Sequence, residues 1–286
     1  MRALGALSID LEDWYHPELV RRSVPADERT CLVAGATQPI LRLLDRYGVK
    51  ATFFIVGEVA QRAPRLVWQI VQAGHEIGCH GFSHKPLWEL TLATLADELA
   101  QYRALIEQIV GPKVPLLGFR APTFSLDQRT AWAVDVLADA GYRYDSSIFP
   151  LKTPLYGVAG APDAPYRLSS NDVSRPDPAG RLVEFPMNVG RIAGLRLPIS
   201  GGTYLRLLPM PLLTALLRRV GRRQPFVVYV HPWEMSPLTP RLRLPAPAWL
   251  ATYVNRDAAL DKLEGLLRQF DFAPLHAVLT RGGFLE

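Results

Sequence analysis

The sequence predicts a barrel-like α/β domain, on three observations. Short apolar runs alternate with stretches of helical spacing through the first 150 residues, the order of parallel βαβ units. Polar residues recur just past the predicted strands, where a parallel barrel builds its site. No break in composition divides the 286 residues, so we read 1–286 as one domain.

The elements follow in order. Ala3 to Ile9 reads as a buried strand running into Asp10, Glu12 and Asp13. Residues 34–48 have helical spacing, with Ile40, Leu43 and Leu44 on one side, and stop at Gly48. Residues 51–56 (ATFFIV) form a β-rich run ended by Gly57. A helix is predicted over 58–73, a strand over 75–80 and a helix over 92–110. A strand over 116–120 and a helix over 127–140 come next. Residues 151–180, rich in Pro, Gly, Asp and Ser, read as an irregular insertion. Beyond it we expect a strand at 182–186, a helix over 203–220 and an apolar strand at 226–230 that ends at His231. Residues 238–252 read as irregular and 256–269 as a last amphipathic helix.

Composition excludes several classes. Apolar residues are 49% and charged residues 21%, so the chain is neither disordered nor fibrous. Lys and Arg number 32 against 27 Asp and Glu, a formal charge of +5. The arginines are scattered, without the dense aromatic-interleaved stripe of a nucleic-acid binder. An acidic glycan or a membrane surface remains compatible with that charge. Two cysteines, Cys31 and Cys79, imply no disulfide framework. No run approaches the ~18 apolar residues of a membrane span, and the N-terminal stretch lacks the apolar core of a signal peptide. We therefore expect a cytoplasmic protein without an integral membrane segment, peripheral to the inner membrane if it meets one. The oligomeric state is left open.

The chemistry collects after the strands. His80 and His84 stand at i and i+4, a spacing that on a helical turn lets two imidazoles grip one metal ion. A carboxylate from the first strand would make a third ligand and leave a position for water. Asp10 and Glu12 are two apart, so on an extended strand they point the same way. One is expected to bind metal and the other to accept a proton. Asp13 is an alternative ligand or the cap of the following turn. Arg120 can clamp a carboxylate and keep Asp10 ionised. His231, after a buried strand and beside Trp233, suits a general acid. His16, His75 and His276 are read as structural, and Cys79 as a small buried hydrophobe.

In this order the pieces resemble the polysaccharide deacetylase family (carbohydrate esterase family four). The segments that carry the resemblance are Asp10-Leu11-Glu12-Asp13-Trp14, His80 to His84, Arg120-Ala121-Pro122, Asp145-Ser146-Ser147 and Val230-His231. Glu184-Phe185-Pro186, Ser200-Gly201-Gly202-Thr203-Tyr204 and His231-Pro232-Trp233-Glu234 are similar to the exosortase-associated exopolysaccharide branch. The resemblance implies a distorted (β/α) barrel with irregular C-terminal loops and a divalent metal, commonly zinc. It implies Asp10 as base, Arg120 as its tether, His231 as acid, and His80 and His84 as ligands. The family's adjacent acidic pair is replaced here. Strand parity favours Glu12 as the third ligand, with Asp13 as the alternative. Gly81 stands where the family carries a hydroxyl that braces the metal loop, a job Ser83 could take over. Pro122, Asp145, Ser146, Gly201, Gly202, Tyr204 and Trp233 are assigned to the substrate-facing surface. Trp88 is either a further stacking surface or core, and the glycine pair either a substrate approach or a turn. The implied activity is removal of N-acetyl groups from amino sugars of a polysaccharide or its lipid-linked precursor. A small non-sugar amide is the alternative substrate.

Overall fold

The computed structural model describes residues 4–286. The predicted strand's first residue, Ala3, lies outside the described residues. The strands are β1 (Leu4–Leu11), β2 (Thr52–Ile55), β3 (Glu76–Cys79), β4 (Gly118–Phe119), β5 (Tyr144–Asp145), β6 (Tyr166–Arg167), β7 (Val183–Glu184), β8 (Val189–Ile192), β9 (Leu195–Pro198), β10 (Phe226–Val230) and β11 (Asp271–Ala273). One sheet runs β10-β1-β2-β3-β4-β5-β7-β6, with β11 also on β1. All pairings are parallel except β6 on β7. The path does not close, so the fold is a curled half-barrel rather than a ring. The sheet narrows because β4, β5 and β7 are two residues each.

Strand parity builds both faces. Along β1, Leu7, Ile9 and Leu11 join the large core between sheet and helices. Ala6 faces the concave side, among Phe54, Tyr144, Val227 and Tyr229. By the same alternation Ser8 and Asp10 share that concave face, which places a carboxylate at its rim.

Prolines account for most boundary differences. The helix expected over 58–73 is two, Gly57–Arg62 and Pro64–Gln72. Pro64 has no N–H and drives Ala63 out of the helical region, to φ −131° and ψ 55°. The helix expected over 203–220 likewise breaks before Pro209, giving Gly202–Leu207 and Met210–Gly221. The helix over 92–110 stands as expected, with Thr91 and Thr94 forming its capping box. Residues 238–252 are not wholly irregular, since Ala246–Tyr253 is helical after Pro245. The β8–β9 hairpin, β11 and the helix Leu275–Arg281 had no counterpart in the sequence reading.

Candidate active site

Four strand ends bring the site together. Asp10 is the penultimate residue of β1 with Glu12 just beyond the strand, His80 follows β3, Arg120 follows β4 and His231 follows β10. Asp10, Glu12, His80, His84 and His231 line one cavity of about 130 Å³.

Asp10 is held first. Arg120 is fully buried, and its Nη1 donates to Asp10 Oδ1 at 2.6 Å and to Ser8 Oγ at 2.7 Å. Its Nε donates to the Ser146 carbonyl and its Nη2 to Ser146 Oγ, both at 2.9 Å. The guanidinium also lies 4.3 Å from the Phe54 ring centroid. A buried cation so fully engaged pins one carboxylate oxygen and leaves Oδ2 facing His231 Nε2 at 3.8 Å.

The donor cluster lies beside it. One ligand atom each from Glu12, His80 and His84 falls within 4.8 Å of the others. His80 Nδ1 is 2.7 Å from the Arg120 carbonyl, which can only accept, so Nδ1 carries the proton and Nε2 keeps its lone pair. His84 Nε2 is buried without a hydrogen-bond partner and lies 2.6 Å from Glu12 Oε2. Burial pushes the pKa of His80 down to about 4 and that of His84 to about 3. One carboxylate and two neutral imidazoles, one with an orphaned nitrogen, form a donor set that fits a divalent ion such as zinc.

The loop carrying these histidines is not the helical turn that the i, i+4 spacing pointed to. Residues 80–86 are irregular and His84 has φ 56°. Gly81 has φ 72°, a conformation that favours glycine over the hydroxyl residue of the family. Bracing comes instead from Glu98, on the helix Leu92–Val110. It accepts from the backbone N–H groups of Phe82 and Ser83 at 3.0 and 3.3 Å and from Ser83 Oγ at 2.5 Å. Sequence reasoning missed Glu98.

His231 sits in a buried relay. Its Nδ1 meets Glu234 Oε2 at 2.9 Å, and Arg206 Nε donates to Glu234 Oε1 at 3.1 Å. Burial alone would depress His231, but Glu12, Glu234 and Asp10 overcome it and hold its pKa up at about 9. Burial raises Glu234, yet Arg206 and His231 prevail and hold it down at about 2. Neither Glu234 nor Arg206 was singled out as functional from sequence. The Glu234 position, three residues after His231, was the available signal.

Several assignments need correction. Asp13 is not in the donor cluster. Its carboxylate accepts from the backbone N–H groups of Trp14, Leu32 and Val33, capping the entry to the helix Val33–Arg46. Asp145 and Ser146 are fully buried. Asp145 accepts from Ser147, whose Oγ accepts from the Ala121 N–H, while Ser146 accepts from Arg120 and its Oγ donates to the Phe185 carbonyl, so neither lines the cavity. Pro122 is buried against Gly81, while Ala121, Thr123 and Phe124 line the cavity. Gly201 and Gly202 admit Tyr229 and Glu234 rather than substrate. A Cβ would meet them at 2.3 and 1.8 Å. Tyr204 packs in the concave core near Phe149, and Thr203 lines the cavity in its place.

Trp233 does line the cavity, stacked on His231 at 5.2 Å. Its Nε1 donates to Glu12 Oε1 at 2.9 Å, so it orients a carboxylate as well. Trp88 lies outside the cavity, under Arg129 at 5.6 Å. His75 accepts from the Ala51 N–H, away from the site, and Cys79 is buried. His16 packs 5.0 Å from the His84 ring, with Nδ1 accepting from the Asp13 N–H.

Both halves of the chain match known protein families. Residues 27–144 match the polysaccharide deacetylase family model, and residues 146–280 match a domain of unknown function, DUF3473. The chain is 32% identical over 157 residues to a peptidoglycan deacetylase-like protein of Gibberella zeae and 32% identical over 155 residues to the peptidoglycan deacetylase of Helicobacter pylori. Each alignment covers 52% of this chain, and 45% and 51% of those proteins. The chain thus spans about half the length of the curated relatives it matches. A candidate polysaccharide deacetylase from Mycobacterium smegmatis superposes with a TM-score of 0.65 at 23% identity, covering 100% of this chain and 92% of that one. At that identity the likeness is one of fold. The family match over residues 27–144 and the sequence relatives show that this chain contains a polysaccharide deacetylase domain.

Proposed function

We propose that this chain is a divalent-metal-dependent hydrolase that removes N-acetyl groups from amino sugars of a bacterial polysaccharide or its lipid-linked precursor. The carrying observation is a single cavity that Arg120-held Asp10 and Glu234-held His231 share with the Glu12, His80 and His84 donors.

A divalent ion held by those three residues supplies Lewis acidity, polarising the acetamide carbonyl and acidifying water. Asp10 Oδ2, left open by the Arg120 clamp, accepts a proton from the attacking water. Water oxygen bonds to the carbonyl carbon and the C–N bond breaks. His231, kept protonated at neutral pH by the carboxylates around it, delivers a proton from Nε2 to the departing amine. Acetate and a free amino sugar leave. Trp233 and Glu234 fix the two faces of this exchange by orienting Glu12 and His231.

The match of residues 146–280 to DUF3473 supports placement in the exopolysaccharide branch. Within this reading the chain acts as one catalytic unit, because His231 and Asp10 share the cavity. We place it in the cytoplasm beside the inner membrane, where a lipid-linked precursor can be reached. No helix among the described residues is long and apolar enough to cross a membrane. The test is acetate release from N-acetylated oligosaccharides with and without chelator. Chelator-sensitive release is expected, and release from small amides alone would overturn the sugar assignment.

A further inference from the structure

A second cavity, of about 780 Å³, lies on the other side of His84 and has no part in the steps above. It shares His84 with the catalytic cavity, and its walls include His16, Arg21, Arg22, Arg29, Glu58 and Lys85. Arg21 is committed to Glu18 and Glu89. Arg22 is exposed and 3.6 Å from Glu18, which Arg21 already engages. Arg29 donates to the Val24 and Arg21 carbonyls and covers the Tyr15 ring, with its charge unpaired among the described residues. Lys85 is exposed and makes no ion pair among the described residues. Three under-used cations therefore stand against one wall carboxylate, Glu58.

His16, also in this lining, adds an unpaired donor. It is 5% exposed, and its Nδ1 accepts the Asp13 N–H at 2.8 Å, so the ring proton of the neutral imidazole sits on Nε2. Nε2 is buried and has no hydrogen-bond partner. Buried polar groups are almost always paired, and an unpaired donor on a cavity wall calls for an acceptor from a ligand.

We propose that this cleft is a subsite for a carboxylate-bearing sugar adjacent to the N-acetyl sugar being cleaved, with Arg22, Arg29 and Lys85 attracting the carboxylate and His16 Nε2 donating to an oxygen of the same sugar. The proposal rests on the deacetylase reading for the identity of the neighbouring sugar. Glu58 in the wall favours a monoanion over a doubly charged phosphate.

The probe is an oligosaccharide alternating N-acetylglucosamine and glucuronate, compared with the same oligosaccharide after its carboxylates are reduced to alcohols. Binding is read by calorimetry on the full chain and on R22Q/K85Q, two exposed positions whose loss spares the core. The acidic form is expected to bind about tenfold tighter than the reduced form, an advantage that falls with salt and largely disappears in R22Q/K85Q. Equal binding of both forms, or an acidic preference unchanged in the double variant, would overturn the subsite. Acetate release, measured separately, reports on the deacetylase reading alone. Acidic preference without acetate release would sink that reading and keep the anion site.

Discussion

At the residue scale the site works by holding charge in fixed places. The pKa of His231 is held up because Glu12, Glu234 and Asp10 outweigh its burial. Replacing Glu234 with Gln keeps the shape but removes one of those charges. The folded pKa of His231 then drops from about 9 toward its ordinary 6.5. With protonated His231 as the proposed acid, the alkaline limb of the kcat profile is expected to move to lower pH, and an unshifted limb would argue against His231 as the acid. Asp10→Asn removes the proposed proton acceptor while leaving Glu12, His80 and His84 intact. It is expected to lower kcat by about 10²–10⁴ with bound metal unchanged, measured by metal analysis beside acetate release. The residues of this constellation were legible because each sits directly past an apolar run. The misplaced ones show what a motif withholds. Asp145, Ser146 and Pro122 belong to segments that carry the resemblance, yet they sit behind the cavity, against Ser147, Arg120 and the Gly81 turn. Which side of a strand faces the cavity is a tertiary fact.

At the element scale, supports arrive from segments distant in sequence. Arg206 reaches Glu234 across 28 residues, and no local periodicity encodes that contact. Gly202 opens the helix Gly202–Leu207 and allows the approach. A Cβ there would lie 1.8 Å from Glu234 Oε2. Gly202→Ala is expected to cost about 1–3 kcal/mol of stability by denaturant titration, and to lower kcat by disturbing the relay. Glu98 does the same service for the metal loop from the helix Leu92–Val110. Glu98→Ala is expected to weaken metal affinity about 10–100-fold while helix content by circular dichroism stays constant. Unchanged affinity would mean that the loop holds its shape without that brace. Pro64 and Pro209 marked the breaks in the sequence, but helical spacing on both sides of each led to single helices over 58–73 and 203–220. The β8–β9 hairpin and β11 were not readable from the residues, being short strands whose pairing depends on distant partners.

At the scale of the molecule, an open half-barrel gathers residues from 10 to 231 at one rim. The order of the strands explains why. β10 lies directly against β1, so His231 and Asp10 end on neighbouring strands despite opposite places in the chain. The strand–helix alternation announced this architecture, and the polar residues past each strand announced its rim. The failure to close the ring depended on the short last strands, which carry almost no sequence signal. The supports of the site, Glu234, Arg206 and Glu98, depend on that global geometry for their meaning.

The central claim is that Glu12, His80 and His84 hold a divalent ion on which deacetylation depends. Its most direct measurement is acetate release from an N-acetylated oligosaccharide by purified protein of known metal content, before chelation, after it and after zinc is restored. About one ion per chain is expected, with loss of release on chelation and recovery with zinc, and with His80→Ala/His84→Ala neither binding the ion nor recovering. Full release from metal-free protein, or from that double variant, would contradict it.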